Sequence, residues 1–272
     1  GAPFGQAKEV LEMAGLVTIA ICLVLLAGNA EAGFVSARDG QLVCDGQVYK
    51  LKGTNYYPQD RMWANMWGSP DWNTVVREAD KMHDLGLNSV RILVPFRNGG
   101  WDGGNPPKDR LDELETYVEI FGKRGIRSVV TLFDWETSWA EKGSKREAEH
   151  ISYLNAVVTR LKENPYVLAW DVKNEPDHPS NLGGGHEDWD KVPENREKIV
   201  DWLGRMCAEI RARDKNHLVG IGLRRYLNVS DVLPLVDIAM FHSYEPDVGS
   251  VQIPAVKKAM GEKPKPILVE EF

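Results

Sequence analysis

The sequence is short of the basic residues on which nucleic-acid binding depends. It has 33 Lys and Arg against 40 Asp and Glu, which gives a formal net charge of −7 and a pI near 5.5. Binding to phosphates needs clustered Lys and Arg that displace counterions. The composition therefore argues against a nucleic-acid partner and favours a neutral or weakly charged one.

Cysteine and histidine are also scarce, with three and six residues among 272. Cys22 lies in the leading segment, while Cys44 and Cys207 are far apart and neither has the spacing of a metal site. A single disulfide and two buried thiols both remain open, and the thiols are favoured. Because no two histidines form a close pair on a predicted strand end, the sequence predicts no metal and no other cofactor.

Only one long apolar run is present, at residues 14–27, and the small-x-small triplet Ala30-Glu31-Ala32 follows it. Signal peptidase cleaves after triplets of this kind. We therefore interpret residues 1–32 as a secretion signal, which predicts a secreted or extracellular protein with no membrane attachment after cleavage. The alternative is a membrane anchor, but a spanning helix needs about 20 apolar residues and this run is shorter.

From Gly33 onward the chain repeats a short apolar strand, a polar loop, an amphipathic helix and a Gly or Asn turn. This order predicts parallel strands joined by crossover helices, preceded by a hairpin with its turn at Asp45-Gly46. The predicted strands are Lys50–Gly53, Ser89–Leu93, Ser128–Phe133, Val167–Val172, Leu218–Gly222, Asp237–Phe241 and Ile267–Glu270. The predicted helices are 75–85 behind an Asp71 cap, Leu111–Lys123, Arg146–Lys162, Glu194–Arg213 and Pro254–Met260.

Two α/β folds share this alternation. Doubly wound nucleotide-binding folds usually carry a Gly-rich turn after the first strand, whereas here the segment Thr54-Asn55-Tyr56-Tyr57-Pro58 follows it and cannot cradle phosphate. The sequence therefore predicts a (β/α)8 TIM barrel over residues 33–272. Since seven strands are recognisable and the sequence stops at Phe272, this domain is predicted to lack the last strand and helix of a complete barrel.

Carboxylates stand at two predicted strand ends, where TIM barrels carry their working groups. Asn174-Glu175-Pro176 follows the fourth strand, and Glu270-Glu271-Phe272 ends the seventh. Two carboxylates across a barrel mouth can cleave a glycosidic bond, because the leaving oxygen needs a proton and the anomeric carbon needs an anion. Adjacent residues of a strand face opposite sides, so only one of Glu270 and Glu271 can enter the cleft.

Several motifs follow in order at successive strand ends: Ser89-Val90-Arg91-Ile92, Asn174-Glu175-Pro176, His242-Ser243-Tyr244 and Glu271-Phe272. With this ordered set the chain, from about Phe34 to Phe272, resembles glycoside hydrolase family 5. That family belongs to the (β/α)8 glycosidase clan and includes endoglucanases and endomannanases. The resemblance implies a retaining endo-β-glycanase that cleaves a polysaccharide such as a β-glucan or β-mannan by double displacement.

The resemblance also implies a role for each motif residue. Glu175 would be the acid/base and Glu271 the nucleophile, which the carboxylate-aromatic pattern favours over Glu270. Asn174 would hydrogen-bond the sugar 2-hydroxyl next to the cleaved bond. Arg91 and Tyr244 would keep Glu271 ionised through charge and hydrogen bonding, and His242 would line the same cleft.

At the end of the third strand the chain departs from many family members, which have a His there. Asp134 stands near that place, so either it replaces the His or the cleft is rearranged. Aromatic side chains crowd the loops after the first three strands and suit stacking on pyranose faces, although about half should be loop core. They are Tyr56, Tyr57, Trp63, Trp67, Trp101, Trp135 and Trp139, of which Tyr56 and Trp135 are predicted to bind substrate.

Two other hypotheses remain. The first is a carbohydrate-binding barrel without turnover, because everything that the eighth strand supplies, including a Trp in family members, is missing from the sequence. The second is a metal-dependent hydrolase, which the lack of paired histidines disfavours. The expected partner is a polysaccharide or oligosaccharide, and the complete protein is expected to be a monomer.

Overall fold

The computed structural model describes residues 33–137, 139–182 and 189–272. The predicted secretion signal at residues 1–32 lies outside them. In the described part of the chain, no helix combines the length and apolarity needed to cross a bilayer.

The described part begins with a small antiparallel sheet of β1 (Ser36–Arg38), β2 (Gln41–Cys44) and β3 (Gln47–Val48). The predicted turn at Asp45-Gly46 is confirmed, because it joins β2 to β3 and both residues have positive φ, 51° and 75°, as a two-residue type I′ hairpin requires. Apolar side chains of this sheet pack against the amino-terminal halves of later strands. The hairpin therefore covers one end of the main sheet.

The main sheet has seven parallel strands, all in the predicted places or close to them. Within the described residues, the other strands are β4 (Gly53–Asn55), β5 (Ser89–Pro95), β6 (Arg97–Asn98), β7 (Trp101–Asp102), β8 (Arg127–Asp134), β9 (Val167–Asn174), β10 (Leu218–Leu223), β11 (Ala239–His242) and β12 (Ile267–Glu271). β6 and β7 pair only with each other. The others follow in the order β12-β11-β10-β9-β8-β5-β4, without the reversal of strand order that a doubly wound sheet shows.

The first parallel strand is displaced from its predicted place. It spans Gly53–Asn55 rather than Lys50–Gly53, because the Asn88 side chain bonds the backbone before it. Asn88 Nδ2 donates to Lys50 O at 2.8 Å, and Lys52 N donates to Asn88 Oδ1 at 2.8 Å. These backbone groups are therefore not used in a strand ladder.

Helices cover the outside of the parallel sheet. They are α1 (Trp72–Asp84), α2 (Lys108–Gly122), α3 (Lys145–Leu161), α4 (Pro193–Arg213), α5 (Val229–Val232) and α6 (Ile253–Met260). Short 3-10 helices lie at Trp63–Met66, Pro179–Leu182, Trp189–Lys191, Tyr226–Asn228 and Leu233–Leu235, and a π-helix at Val248–Gln252. The predicted cap of α1 is confirmed, since the Asp71 side chain accepts from Asn73 N at 3.1 Å.

The sheet curls into a nearly closed barrel. Every residue of β5 and β8 is buried, as expected for strands covered on both faces. The edge strands β4 and β12 face each other across a gap, where Asn55 Nδ2 donates to Glu270 O at 3.0 Å. The predicted barrel with seven visible strands is confirmed. Cys44 and Cys207 are both buried and form no disulfide, as favoured from the sequence.

Candidate active site

The two predicted carboxylates lie at the carboxyl ends of their strands. Glu175 directly follows β9, and its backbone N–H donates to Gly222 O at 2.7 Å, so the neighbouring strand β10 fixes its position. Its φ of 44° is left-handed, a conformation that the surrounding structure must enforce in a residue other than glycine. Glu271 is the last residue of β12.

A single histidine brings the two carboxylates together. His242, at the end of β11, has Nδ1 2.8 Å from Glu175 Oε1 and 3.6 Å from Glu271 Oε2. One ligand atom from each of the three side chains lies within 4.8 Å of the others. Carboxyl groups about 5–5.5 Å apart are typical of glycosidases that retain configuration, whereas inverting enzymes need about 6.5–9.5 Å to admit a water.

Glu271 is held by a donor on each oxygen. Arg91 Nη1 donates to Oε1 at 2.7 Å, and the Tyr244 hydroxyl donates to Oε2. Burial works against the charge of this carboxylate, but His242, Tyr244 and Arg91 outweigh it and lower the pKa of Glu271. Glu271 is therefore ionised at neutral pH, as a nucleophile requires.

Arg91 is the buried centre of a larger polar network. Its guanidinium is 4% exposed and contacts Asp171 Oδ2 at 3.0 Å. Its Nε donates to Thr131 Oγ1 at 2.8 Å. Nη2 donates to Asn174 Oδ1 at 2.8 Å, so the same guanidinium orients both Asn174 and the predicted nucleophile.

Glu270 turns away from the cleft. Its side chain is 1% exposed and lies 3.4 Å from Arg91 Nε and 3.8 Å from His242 Nε2. Burial and the nearby Asp171 raise the pKa of Glu270. The expectation that only one of the two adjacent glutamates faces the cleft therefore agrees with the structure, which exposes Glu271 more.

His242 carries a positive charge among these acids. Burial disfavours that charge, but the carboxylates of Glu175 and Glu270 stabilise it and raise the pKa of His242 to about 9. The imidazole is fully buried at its side chain. It therefore lines the floor of the cleft, beneath the two carboxylates.

Asp134 ends β8 and lies near Lys173, a buried residue that the sequence reasoning missed. Burial raises the pKa of Asp134 to about 6, although Lys173 and Arg91 pull it down. Lys173, on β9, is 4% exposed, and burial lowers its pKa to about 8 against the pull of Asp134 and Glu136. The signal available in the sequence was the period-two alternation of a strand. Lys173 lies two residues after Asp171, so both side chains face the barrel interior.

The predicted role of Tyr56 in substrate binding needs correction. Tyr56 is 1% exposed, its ring packs edge-on to Phe121 at 4.8 Å, and its hydroxyl donates to Glu78 at 2.8 Å. Its ring is therefore core and has no face for a sugar. Trp67 and Trp101 are buried as well, at 5% and 4% exposure.

Two of the other loop tryptophans remain at the surface. Trp63 is 52% exposed and Trp135 is 53% exposed. Their ring centroids are 5.7 Å apart, and the Tyr57 ring lies 5.0 Å from Trp63. The prediction that Trp135 contacts substrate stays a prediction, and the structure gives it aromatic neighbours.

The same three groups, Glu175, His242 and Glu271, are close enough to bind a metal ion. Carboxylate oxygen and imidazole nitrogen are suitable ligands for Zn²⁺ and related cations. However, both oxygens of Glu271 already accept hydrogen bonds, from Arg91 and Tyr244. The arrangement therefore suits a metal centre less well than a pair of carboxyl groups of which one is protonated and the other is ionised.

Comparison with known proteins agrees with this geometry. Residues 44–272 match the family profile described as "Cellulase (glycosyl hydrolase family 5)". The major extracellular endoglucanase of Xanthomonas campestris pv. campestris is 27% identical over 216 residues, which cover 71% of this chain and 43% of the relative. A probable mannan endo-1,4-beta-mannosidase C of Aspergillus terreus is 23% identical over 325 residues, or 93% of this chain and 77% of the relative.

Solved structures show the same fold. The exo-beta-1,4-mannosidase Op5Man5 from Opitutaceae bacterium strain TAV5 superposes with a TM-score of 0.65 at 20% identity, over 84% of this chain and 46% of that one. The chain thus spans less than half the length of both this mannosidase and the endoglucanase.

Proposed function

Because the chain belongs to the cellulase family, glycosyl hydrolase family 5, we propose that it is a retaining glycosidase that cleaves β-glycosidic bonds of a polysaccharide. The observation that carries this proposal is the pair Glu175 and Glu271, which His242 bridges within 4.8 Å. One member of the pair is held ionised by Arg91 and Tyr244. The other is positioned to deliver a proton.

In the first step Glu271 attacks the anomeric carbon while Glu175 protonates the glycosidic oxygen. The bond between the anomeric carbon and that oxygen breaks, its electron pair goes to the oxygen, and the leaving sugar departs as an alcohol. A covalent glycosyl ester forms on Glu271. Arg91 and Tyr244, which contact the Glu271 oxygens in the free protein, guide the attack.

In the second step Glu175, now a carboxylate, takes a proton from water as the water oxygen attacks the anomeric carbon. The ester bond breaks and Glu271 leaves as a carboxylate. Each step inverts the anomeric carbon once, so the product keeps the β configuration. The short separation of the two carboxyl groups, whose ligand oxygens lie within 4.8 Å of each other, supports this course, because inverting enzymes need about 6.5–9.5 Å to admit a water.

Asn174 binds the sugar and takes no direct part in making or breaking bonds. Because its Oδ1 accepts from Arg91, its amide Nδ2 is the group oriented to donate to a sugar hydroxyl. A hydrogen bond to the 2-hydroxyl strengthens as charge develops at the anomeric carbon. Asn174 thus acts on the sugar ring next to the cleaved bond.

The proposed substrate is a β-linked glucan or mannan, attacked internally. This choice rests on relatives that are named an endoglucanase and a mannan endo-1,4-beta-mannosidase. We also propose that the protein is secreted, from the apolar run at residues 14–27 and the extracellular location in the endoglucanase's name. It is expected to act as a monomer without a cofactor. A product profile on cellulose, mannan, xyloglucan and laminarin identifies the glycan.

The test of the two roles uses Glu175→Ala and Glu271→Ala with an activated aryl β-glycoside and sodium azide. Each variant should lose turnover of a β-glycan by at least about 10³-fold, because it lacks a proton-transfer group or the nucleophile. In Glu175→Ala, azide should intercept the glycosyl ester and give a β-glycosyl azide. In Glu271→Ala, azide should enter the vacated space and give the α-glycosyl azide.

The stereochemistry of the azide products decides the assignment. Interchanged anomers would exchange the two roles, and wild-type rates in either variant would reject the pair altogether. If the unmodified protein binds cello- or manno-oligosaccharides by titration but releases no reducing ends, the protein is a binding barrel. Glu78→Ala is a suitable control, because Glu78 binds Tyr56 in the core and not the cleft.

A further inference from the structure

A cavity of about 430 Å³ adjoins the carboxylate pair at the carboxyl ends of β10 and β11. His242 and Tyr244 are part of its lining, and these two side chains also contact Glu175 and Glu271. Pockets that bind small ligands typically measure about 300–1,000 Å³. The cavity is therefore large enough for a sugar unit, and it opens beside the place where the glycosidic bond would be cleaved.

Positive charge exceeds negative charge in this cavity. Arg224 and Arg225, which follow β10, line it, and Glu245 is the one acidic side chain among the described residues of the lining. Both arginines are half-buried, and salt screens half-buried charges less than exposed ones. Because the chain as a whole carries a net charge of −7, its average composition does not account for two arginines in one cavity.

Asp177 fixes the arginine segment to the loop that carries Glu175. Asp177 lies two residues after Glu175 and is 1% exposed. Its Oδ1 accepts from Arg224 N at 2.7 Å, and its Oδ2 accepts from Arg225 N at 3.2 Å and from Asn228 Nδ2 at 2.7 Å. The backbone of both arginines is therefore positioned next to the predicted acid/base before any ligand binds.

Two buried polar side chains of the lining have an oxygen without a partner. Ser243 is 5% exposed and Gln252 is 4% exposed. Among the described residues, neither Ser243 Oγ nor Gln252 Oε1 has a hydrogen-bond partner, although Gln252 Nε2 donates to Asp247 Oδ1 at 2.7 Å. Buried polar atoms are nearly always hydrogen-bonded. A hydroxyl group and an amide oxygen can both bind the hydroxyl groups of a sugar.

We infer that this cavity is a subsite for a sugar with an anionic substituent, a carboxylate or a sulfate ester, which Arg224 and Arg225 bind. A guanidinium has five donors, so an arginine that contacts another protein group can still donate to such a ligand. Ser243 Oγ and Gln252 Oε1 bind hydroxyl groups of the same sugar. The inference rests on the proposed function, because it narrows the substrate of the same site to a β-glycan with acidic side groups.

The first experiment compares charged and neutral ethers of one backbone. Carboxymethyl and hydroxyethyl ethers of cellulose and of mannan, matched in degree of substitution, are hydrolysed and kcat/KM is measured for each. Arg224→Met and Arg225→Met should each lower kcat/KM for the carboxymethyl ether about tenfold more than for the hydroxyethyl ether. A loss of this size is expected for one hydrogen bond to a charged group.

Lys123→Met is the matched control, because it also removes one positive charge. Lys123 is 67% exposed and follows α2, at the opposite end of the strands from the cavity. A single exposed charge contributes little at such a distance, so the ratio of the two kcat/KM values should stay that of the unmodified protein. If this ratio falls equally in Lys123→Met and in the arginine variants, or in none of them, the subsite is overturned.

The second experiment tests the role of charge and identifies the anionic group. The difference between unmodified protein and the Arg224→Met/Arg225→Met double variant on the carboxymethyl ether should shrink as NaCl is raised, because salt screens the attraction. A difference that does not change with salt overturns the electrostatic role. Sulfate esters of cellulose and mannan form the other arm. A larger effect of the double substitution on the sulfate esters assigns the cavity to sulfate, and a larger effect on the carboxymethyl ethers assigns it to carboxylate.

Binding without turnover separates this inference from the proposed function. Carboxymethyl and hydroxyethyl cellohexaose and mannohexaose are titrated calorimetrically into Glu175→Gln protein, with and without the two arginines. If the arginines strengthen binding of the carboxymethyl ligand but unmodified protein hydrolyses no β-glycan, the glycosidase is refuted and the subsite is supported. If the protein hydrolyses both ethers and the arginines do not affect binding, the subsite alone is refuted. Thermal melts check folding, and Arg224→Gln or Arg225→Gln replaces a methionine variant that does not fold.

Discussion

Nδ1 of His242 lies 2.8 Å from Oε1 of Glu175, and the same imidazole is 3.6 Å from Glu271. A cation between two carboxylates reduces their repulsion and lets them approach. The protonated imidazole of His242 can donate its Nδ1 proton to Glu175 at this distance. In the proposed mechanism, Glu175 delivers a proton to the glycosidic oxygen.

We expect His242→Asn to lower stability in a pH-dependent way. The folded-state pKa of His242 is about 9, above its ordinary value of 6.5, so folding favours the protonated imidazole. The stability that this charge contributes is fully present below pH 6.5 and is lost as pH rises through 9. Urea unfolding of both proteins between pH 6 and pH 10 should show the difference shrinking. A constant difference would mean that His242 is neutral in the folded protein.

Tyr244→Phe should move the acid limb of kcat/KM to higher pH. The Tyr244 hydroxyl is one of the groups that lower the pKa of Glu271, so its loss allows Glu271 to take up a proton sooner as pH falls. We expect about tenfold lower kcat/KM near neutral pH, the effect of one lost hydrogen bond to a charged group. Tyr226→Phe serves as the control, and an unmoved acid limb would contradict the assigned contact.

Gly222→Ala should destabilise the fold at the centre of the polar network. A Cβ at Gly222 would lie 2.5 Å from Glu270 Oε2 and 3.0 Å from Asp171 Oδ2, so these buried carboxylates would have to shift. The expected loss in free energy of unfolding is about 1–3 kcal/mol, as for other overpacked interiors. Gly249→Ala is the matched control, since no atom lies within 4 Å of its added Cβ. Equal stability of the two variants in urea would show that the network can rearrange.

Removal of metal ions should leave activity unchanged. Glu175, His242 and Glu271 are near enough to ligate a cation, but Arg91 and Tyr244 already bind both oxygens of Glu271. Protein dialysed against EDTA is expected to hydrolyse an aryl β-glycoside at the rate of untreated protein. Loss of activity that Zn²⁺ or Mn²⁺ restores would favour a metal-dependent hydrolase instead.

The parallel strands could be predicted because each is a short apolar run followed by a helical period. Their ends were less predictable, since β8 and β9 continue to the polar residues Asp134 and Asn174. Polar residues usually mark a loop. Here they remain in the sheet because Arg91 bonds Asn174 and the partner strand continues, with Pro95 paired to Asp134.

The motif residues of the candidate site could be predicted from the sequence, but the positions of the residues around them could not. Glu175, Glu271 and His242 lie at the carboxyl ends of strands of one parallel sheet, so their proximity follows from the topology. Whether an aromatic loop residue such as Tyr56 is core depends on contacts with distant helices, which periodicity does not report. The left-handed backbone of Trp135, with φ of 59°, was equally hidden, because no glycine or asparagine marks it.

The layer of the barrel beneath the cleft contains the buried residues Arg91, Asp171 and Glu270, which contact one another through the Arg91 guanidinium, where branched aliphatic residues dominate many barrels. Ion pairs hold such a layer together in place of apolar contacts, so a single replacement there leaves a buried charge without its partner. In thermostabilised variants of this chain, the stabilising substitutions would therefore lie on the outer helices and loops. The interior of the barrel would stay unchanged, because every substitution there also alters the active site above it.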